Sequence, residues 1–220
     1  MKNMLISNVL FFLYTKGPLV EQTMDDIKQI FDTNTFAVLR VCKAVVPIMA
    51  KRRSGTIVNI GSIVGEMYEV VFFFFLQSLT WILNLISSTP WNGLYSAAKA
   101  AVTRISEVLF MELKPLNISV LHVSPGAVKS NISSNAIARF ALAPDSLYSN
   151  FLSFIIKRIH ASQGPDSMPN KHFAQQVVSN ALRKKPPRYM SIGGRSRFFA
   201  WLQWLPRGLV LEYMWRLFAT

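Results

Sequence analysis

Tyr95 and Lys99 are the two residues of this chain whose types and spacing are best suited to chemistry. Residues four apart lie on the same face of a helix, so the lysine ammonium is expected close to the tyrosine phenol. A nearby positive charge favours the phenolate and lowers its pKa from about 10 towards the range of an acid–base catalyst. The pair is a candidate proton donor. Tyrosine and lysine at this spacing also form ordinary surface contacts, so the surrounding elements must decide.

The helix that carries this pair is predicted to lie between two strands. The predicted elements are a strand at Thr56–Ile60 that ends at Gly61-Ser62, a helix at 95–113, and a strand at Ile118–Val123 that runs into Ser124-Pro125-Gly126. A strand, a helix and a second strand favour a parallel βαβ unit. A long amphipathic helix is predicted before them, from about residue 25 to residue 50. The sequence therefore predicts an α/β fold.

The charge of the chain indicates an anionic partner. There are 24 Lys and Arg against 11 Asp and Glu, a formal net charge of +13, which suits nucleic acid, phospholipid head groups or a phosphorylated substrate. The sequence has no zinc-ligand spacing and no RNA-binding signature, so we expect neither a metal site nor a nucleic-acid partner. The single cysteine, Cys42, excludes an internal disulfide and has apolar neighbours, so we expect a buried structural thiol.

Three segments differ in composition from the rest of the chain. Residues 1–16 are an apolar run behind one lysine, which we assign to a leader, and a poorly formed signal peptide is one interpretation. Residues 68–87 form an apolar insertion in which 70–86 reaches only the lower limit for a membrane span. Residues 198–220 mix aromatic residues with arginines and are predicted to be an amphipathic interfacial tail. The folded domain is therefore predicted to cover 17–197.

Four motifs appear in an order that resembles the short-chain dehydrogenase/reductase family, from about Gly17 to Ser130. They are Asn34 in Phe31-Asp32-Thr33-Asn34, Ser62 after Asn59-Ile60-Gly61, Tyr95 with Lys99, and the turn Pro125-Gly126-Ala127-Val128-Lys129-Ser130. Each residue taken alone has an ordinary structural explanation, such as a loop serine or a polar helix residue. The order of the four motifs along the chain favours the family. The resemblance implies a Rossmann-like, doubly wound parallel sheet, of which this chain carries the C-terminal part.

The resemblance also implies a role for each matched residue. Tyr95 would protonate the substrate carbonyl oxygen while a nicotinamide supplies hydride, and Ser62 would hydrogen-bond the same oxygen. Lys99 would lower the pKa of Tyr95 and hold the nicotinamide ribose, and Asn34 would fix a water molecule. The implied cofactor contacts are Tyr95, Lys99, Pro125, Gly126, Val128 and Ser130. His122 has no sequence neighbour that suggests catalysis, so we interpret it as structural.

Within the family, the loop 89–95 and the tail segment 204–207 are similar to reductases of 1-acyl-dihydroxyacetone phosphate. This likeness implies NADP(H) as the cofactor and an acylated glycerone phosphate, or a similar lipid carbonyl, as the substrate. It also implies a membrane surface, at the cytosolic face of the endoplasmic reticulum or of lipid droplets, with the cytoplasm as the alternative, and it admits an oligomer. A steroid or retinoid reductase of the same family is the alternative enzyme.

Two departures from the family pattern qualify these expectations. No Gly-x-x-x-Gly-x-Gly turn follows an N-terminal strand, so the adenosine and pyrophosphate half of the cofactor has no visible site. Ser62 and Tyr95 are also further apart than in the family, because the insertion 68–87 lies between them. We expect the insertion and residues 1–16 to be translated intron sequence in a truncated gene model or splice form. The alternatives to an active enzyme are a non-catalytic membrane-associated or partner-binding fragment and a poorly folded product that is degraded.

Overall fold

The computed structural model of the chain describes residues 17–65, 67–72, 81–86, 88–202 and 205–220. The strands are β1 (Gly55–Ile60), β2 (Met67–Phe72), β3 (Trp81–Ile86), β4 (Ile118–Pro125) and β5 (Tyr189–Ile192). The helices are α1 (Met24–Phe31), α2 (Ala37–Lys51), α3 (Gly93–Leu113), α4 (Ile132–Ala138), α5 (Leu152–His160), α6 (Asn170–Ala181), α7 (Ser196–Leu202) and α8 (Arg207–Ala219). The leader prediction for 1–16 lies outside the described residues.

A parallel sheet in the order β1-β4-β5 forms the centre of the described part. Successive side chains of a strand point to opposite faces. Ile57 of β1 therefore packs with Val102 of α3 on one face, while Val58 packs with Val177 of α6 on the other. Helices cover both faces, which explains why β1 and β4 are buried almost throughout. The predicted α/β, Rossmann-like, doubly wound fold is confirmed.

The predicted amphipathic helix at about 25–50 is present as α1 and α2, joined by a π-helical turn at Asp32–Phe36. Thr23 begins it with a capping box, since its side chain accepts from the Asp26 N–H and the Asp26 carboxylate accepts from Thr23 in return. Among the described residues, the combined stretch Met24–Lys51 is the one helix long and apolar enough to cross a membrane. Part of its apolar surface faces the core, where Cys42 is buried.

Cys42 is confirmed as a buried thiol. It is 3% exposed within the core between α2, α3 and the sheet. Burial raises its pKa to about 11, so the nucleophilic thiolate is disfavoured at neutral pH.

The insertion begins and ends in an antiparallel strand pair outside the main sheet. Strand β2 pairs with β3 from Met67 opposite Ile86 to Phe72 opposite Trp81. The described parts of the segment 70–86 are therefore strands and not a membrane helix, and 73–80 lies outside the described residues. Antiparallel pairing returns the chain close to where it left, so the insertion loops out between Ser62 and α3.

The tail predicted at 198–220 forms most of α7 and all of α8. Its buried face includes Leu202, Val210 and Met214. Phe218 anchors α8 to the loop before α3, because its carbonyl oxygen accepts a hydrogen bond of 2.8 Å from the indole of Trp91. The opposite face leaves large apolar side chains exposed, among them Trp201, Leu209, Tyr213 and Trp215. The tail thus buries one apolar face and leaves further large apolar side chains exposed, and its membrane association stays a prediction.

Candidate active site

A cavity of about 750 Å³ lies at the carboxyl ends of β1 and β4. Ligands of open α/β sheets bind at this edge, and the volume is in the usual range for a small-molecule site. Six of the predicted site residues line it: Ser62, Tyr95, Pro125, Gly126, Val128 and Ser130. The other two, Lys99 and Asn34, are not among its lining residues and lie buried in the helices next to it.

The loop that carries Ser62 is fixed to α3 by a close backbone approach. After β1 the chain makes a short 3-10 turn, Ile63–Gly65, and the Ser62 hydroxyl accepts from the Val64 N–H at 3.5 Å. A Cβ on Gly65 would lie 2.5 Å from the Lys99 carbonyl carbon, so only glycine fits this contact. The Thr103 hydroxyl donates to the Gly65 carbonyl at 3.1 Å. Ser62 and Tyr95 therefore reach the same cavity despite the insertion.

Tyr95 and Lys99 lie one turn apart on α3, as predicted. The Lys99 Nζ is 5.7 Å from the centre of the Tyr95 ring and donates a hydrogen bond of 3.0 Å to the Ile60 carbonyl at the end of β1. Lys99 is only 1% exposed, and this burial lowers its pKa to about 7. Its charge therefore titrates near neutral pH, which makes its effect on the neighbouring phenol pH-dependent.

Asn34 occupies the π-helical turn between α1 and α2, a distortion that is frequent at functional sites. Its amide donates to the Ile30 carbonyl at 3.1 Å, and the side chain is 3% exposed. The next residue, Thr35, donates a hydrogen bond of 3.0 Å to the carbonyl of Ala98. The turn thus holds Asn34 against the part of α3 that carries Lys99, and its role in binding a water molecule stays a prediction.

The turn Pro125–Ser130 leaves β4 and is held on two sides. A Cβ on Gly126 would collide with the carbonyl oxygen of Gly194, so glycine is needed here for backbone packing. On the other side, the Gln163 amide makes two hydrogen bonds to the turn. Its Oε1 accepts from the Ser130 N–H at 3.0 Å, and its Nε2 donates to the Val128 carbonyl at 3.2 Å. Sequence reasoning missed Gln163, because no pattern relates a lone glutamine to a turn so distant in the chain.

His122 lies behind the cavity and not in its wall. It is 2% exposed, with Nδ1 3.2 Å from the Ser106 hydroxyl and Nε2 3.4 Å from the Thr103 hydroxyl. Burial, and secondarily the charge of Lys99, lower its pKa to about 4. The neutral ring therefore connects β4 to α3 through hydroxyl groups, in agreement with a structural role. No group of three metal-ligating residues occurs in the described part of the chain.

The cavity wall is positively charged. Its ionisable lining residues other than Tyr95 are Lys129, Arg158, Lys171 and Arg195, and no Asp or Glu occurs among the described lining residues. The Arg195 Nε lies 3.6 Å from the Asp166 Oδ2 in an exposed ion pair. The net charge of the sequence indicates an anionic partner, but a charge count does not show which arginine faces a site.

The residues present fit part of a nicotinamide cofactor. The hydroxyls of Ser62 and Tyr95 and the backbone of the 125–130 turn share one cavity, which suits a nicotinamide and its ribose beside a carbonyl substrate. The described residues contain no glycine-rich turn at a helix N-terminus that would bind the pyrophosphate. The fit therefore extends to the reactive half of the cofactor.

A family model described as short chain dehydrogenase matches residues 3–75 and 85–139, more than half of the chain. The chain belongs to the short-chain dehydrogenase family. This oxidoreductase family is the one predicted from the order of the four motifs. The unmatched residues 76–84 lie inside the insertion 68–87, and residues 3–16, which the sequence analysis assigns to a leader, fall within the matched range.

Individual relatives agree with the family. A 3-ketodihydrosphingosine reductase of Bacteroides thetaiotaomicron is 29% identical over 92% of this short-chain dehydrogenase and 68% of its own length. A short-chain dehydrogenase structure from Streptomyces avermitilis has a TM-score of 0.65 at 23% identity, covering 88% of this chain and 62% of the other. One from Sphingobium yanoikuyae, in complex with NADPH, has a TM-score of 0.58 at 23% identity, covering 89% and 61%. The chain spans about half the length of three fungal relatives at 31–32% identity.

Proposed function

We propose that this short-chain dehydrogenase uses NADPH to reduce the ketone of a lipid, with 1-acyl-dihydroxyacetone phosphate as the leading substrate. The observation that carries the proposal is the shared cavity of Ser62 and Tyr95, with Lys99 directly behind the tyrosine. The cationic, acid-free lining of this cavity supports a phosphorylated substrate over a neutral one.

The chain's own residues supply the proton and stabilise the charge that develops on the ketone oxygen. The cofactor supplies hydride to the carbonyl carbon when it is bound. The Tyr95 hydroxyl donates its proton to the carbonyl oxygen, which completes the alcohol, and the Ser62 hydroxyl donates a hydrogen bond to the same oxygen. When Lys99 is charged, it stabilises the phenolate that Tyr95 becomes after it has donated its proton. A hydrogen bond of 3.0 Å to the Ile60 carbonyl holds Lys99 in place.

NADPH is proposed over NADH on the likeness to reductases of 1-acyl-dihydroxyacetone phosphate, since the two cofactors differ only at the adenosine ribose and the described cavity fits the nicotinamide half. The Sphingobium yanoikuyae enzyme, a structural neighbour, was solved with NADPH. Measuring the dissociation constants of NADPH and NADH by fluorescence titration tests this choice, and tighter binding of NADH would contradict it.

A second candidate substrate is 3-ketodihydrosphingosine, the compound named for the Bacteroides thetaiotaomicron relative. Both candidates are long-chain ketones, so both suit a cavity with a largely apolar wall. They differ in the group next to the ketone, which is a negatively charged phosphate ester in one and a positively charged amine in the other. The cationic lining favours the phosphate ester, and the relative's name favours the amine.

We also propose that the chain acts at a membrane surface, on the cytosolic face of the endoplasmic reticulum or of lipid droplets. The exposed face of α7 and α8 supports this, since Trp201 and Leu209 are largely exposed on it and the same tail carries Arg207 and Arg216. Sedimentation with vesicles containing phosphatidylserine measures the binding. Replacing Trp201 and Leu209 by Ala together should weaken it several-fold, and unchanged binding would contradict the proposal.

The reductase proposal is tested by following NADPH oxidation by the purified chain with each ketone. We expect turnover with 1-acyl-dihydroxyacetone phosphate at a higher kcat/KM than with 3-ketodihydrosphingosine or a steroid ketone. Turnover of only the amine or the steroid would reassign the substrate. Absence of both turnover and detectable NADPH binding would favour the alternative, a non-catalytic membrane-associated or partner-binding fragment.

A further inference from the structure

Arg158 on α5 is a buried cation in the wall of the cavity. It is 9% exposed, and its Nε donates a hydrogen bond of 2.8 Å to the Thr89 hydroxyl. The guanidinium carbon lies 5.3 Å from the centre of the Phe218 ring. Among the described residues, it has no carboxylate within ion-pair distance and makes no other hydrogen bond.

This arrangement leaves most of the guanidinium without a partner. Arginine carries five N–H donors in a planar fork, and the Thr89 contact uses one of them. Burying a cation without an opposite charge is unfavourable, so buried charges are normally paired or bound to a ligand. Since Arg158 lines the cavity, a ligand there can reach its unused donors.

Asn92 is a second polar residue of the cavity wall whose side chain lacks a partner. It is 2% exposed, and neither its Oδ1 nor its Nδ2 has a hydrogen-bond partner among the described residues. It immediately precedes α3 and therefore lies three residues before Tyr95, but its side chain does not cap the helix. Thr89, which holds Arg158, precedes it in the same loop. The loop before α3 thus places a cation and an amide at one cavity.

We propose that Arg158 and Asn92 bind an anionic head group of the substrate, with the guanidinium supplying the charge and the Asn92 amide a further donor. Planar N–H pairs suit phosphate and carboxylate oxygens. A phosphate ester and a carboxylate share this chemistry, and the lipid ketone of the proposed function brings a phosphate. The inference rests on the proposed function and narrows it, because a substrate with an amine next to the ketone would meet uncompensated positive charge.

The test is calorimetric binding of soluble head-group ligands to the full chain, which requires no turnover. The ligands are hexanoyl-glycerol phosphate, uncharged hexanoyl-glycerol, and a hexanoyl ester that carries a carboxylate. The wild-type chain should bind the phosphate about 10–100-fold more tightly than the uncharged ligand, and Arg158→Met should lose this preference. The matched control is Lys157→Met, which removes the same charge from the neighbouring, exposed position of α5. It should keep the preference.

Each other outcome is decisive. Equal binding of charged and uncharged ligands by the wild-type chain, or equal losses in the Arg158 and Lys157 variants, would overturn the proposal. A loss of NADPH affinity in Arg158→Met with the head-group preference unchanged would also overturn the proposal. Arg158 would then bind an anionic group of the cofactor and not of the substrate. Tight binding of the carboxylate with little of the phosphate would keep the anion subsite and change its ligand.

A second variant guards against misfolding. If thermal denaturation shows that Arg158→Met does not fold, Asn92→Leu removes the other donor at similar volume and should weaken phosphate binding about 5–10-fold. Unchanged phosphate binding by a folded Asn92→Leu would remove Asn92 from the subsite. Failure of the proposed function is distinguishable, because a chain that oxidises no NADPH but keeps the head-group preference retains the subsite without the reductase.

Discussion

The α-carbon of Gly65 lies so close to the backbone of Lys99 that a Cβ at Gly65 would be 2.5 Å from the Lys99 carbonyl carbon. This contact joins the loop after β1, which carries Ser62, to the helix that carries Tyr95. The insertion 68–87 begins after Gly65 and ends before α3, so it does not interrupt the contact between Gly65 and Lys99. The relative position of the serine and the tyrosine is therefore set by packing between β1, its loop and α3.

Gly65→Ala should destabilise the chain and reduce turnover. A new Cβ would meet two backbone atoms of α3 and the Cβ of Lys99, none of which can rotate away, so we expect a loss of about 1–3 kcal/mol in the free energy of unfolding. Urea denaturation measures it. Gly208→Ala is the control, because nothing lies within 4 Å of its added Cβ and it sits in α8, where alanine favours the helix. Equal free energies of unfolding for Gly65→Ala and Gly208→Ala would contradict the close contact between Gly65 and α3.

Deleting residues 68–87 should leave a folded chain with its activity unchanged within a few-fold. Met67 and Ile86 are opposite each other in the β2–β3 pair, and such residues have Cα atoms about 4.5–5.5 Å apart. Joining Met67 to Ser88 therefore requires only a small local shift. Thermal denaturation and the NADPH oxidation assay measure the outcome, and a hundred-fold loss of activity in a folded deletion variant would show that the insertion contributes to the site.

The origin of the insertion is tested separately by sequencing the transcript. Reads that cross from the Met67 codon directly to the Ser88 codon would support translated intron sequence. A uniformly continuous transcript would count against it.

Gln163→Leu should weaken NADPH binding about ten-fold while changing stability little. The variant keeps the side-chain volume but removes both hydrogen bonds to the 125–130 turn, which then loses its fixed shape beside the cofactor. Fluorescence titration with NADPH measures the dissociation constant. Gln176→Leu is the control, since this half-buried glutamine lies on α6 and its side chain hydrogen-bonds to His172. A dissociation constant equal to that of the wild type would show that the turn does not depend on Gln163.

The elements that carry the site were predictable because their signals are local. The β-branched run of β1, the 3.6-residue period of α1–α2 and the turn residues after β4 each lie within a short window. The ends were less accurate, since α3 begins at Gly93 and not at Tyr95 as predicted. The π-helical turn at Asn34 was not predicted either, because it depends on the Thr35 contact with α3.

Lys99 should make stability rise with pH. Burial lowers its pKa in the folded chain from the usual 10.5 to about 7, so between these values the unfolded chain binds more protons than the folded one. The free energy of unfolding should therefore increase with pH across this window, by up to about 1.4 kcal/mol per pH unit. Urea denaturation of the wild type and of Lys99→Met at several pH values isolates the effect. An identical pH dependence of the two proteins would contradict it.

The contacts missed from sequence share one property, which is that they join distant parts of the chain. Arg158 faces the cavity because Thr89, 69 positions earlier, holds its Nε, and Gln163 reaches the turn at 128–130 from beyond α5. No periodicity or motif relates such positions. The four family motifs could be recognised because their order is itself a sequence pattern, whereas residues that bind one particular substrate leave no such pattern.

The central claim, that Tyr95 is the proton donor of an NADPH-dependent reductase, is tested most directly by Tyr95→Phe. Turnover of 1-acyl-dihydroxyacetone phosphate and the dissociation constant of NADPH should be measured on this variant, the wild type and Tyr213→Phe, which alters an exposed tyrosine of α8. We predict that Tyr95→Phe lowers turnover at least about 100-fold and leaves NADPH affinity within about two-fold, with Tyr213→Phe unchanged. Turnover of Tyr95→Phe equal to that of the wild type would contradict the claim.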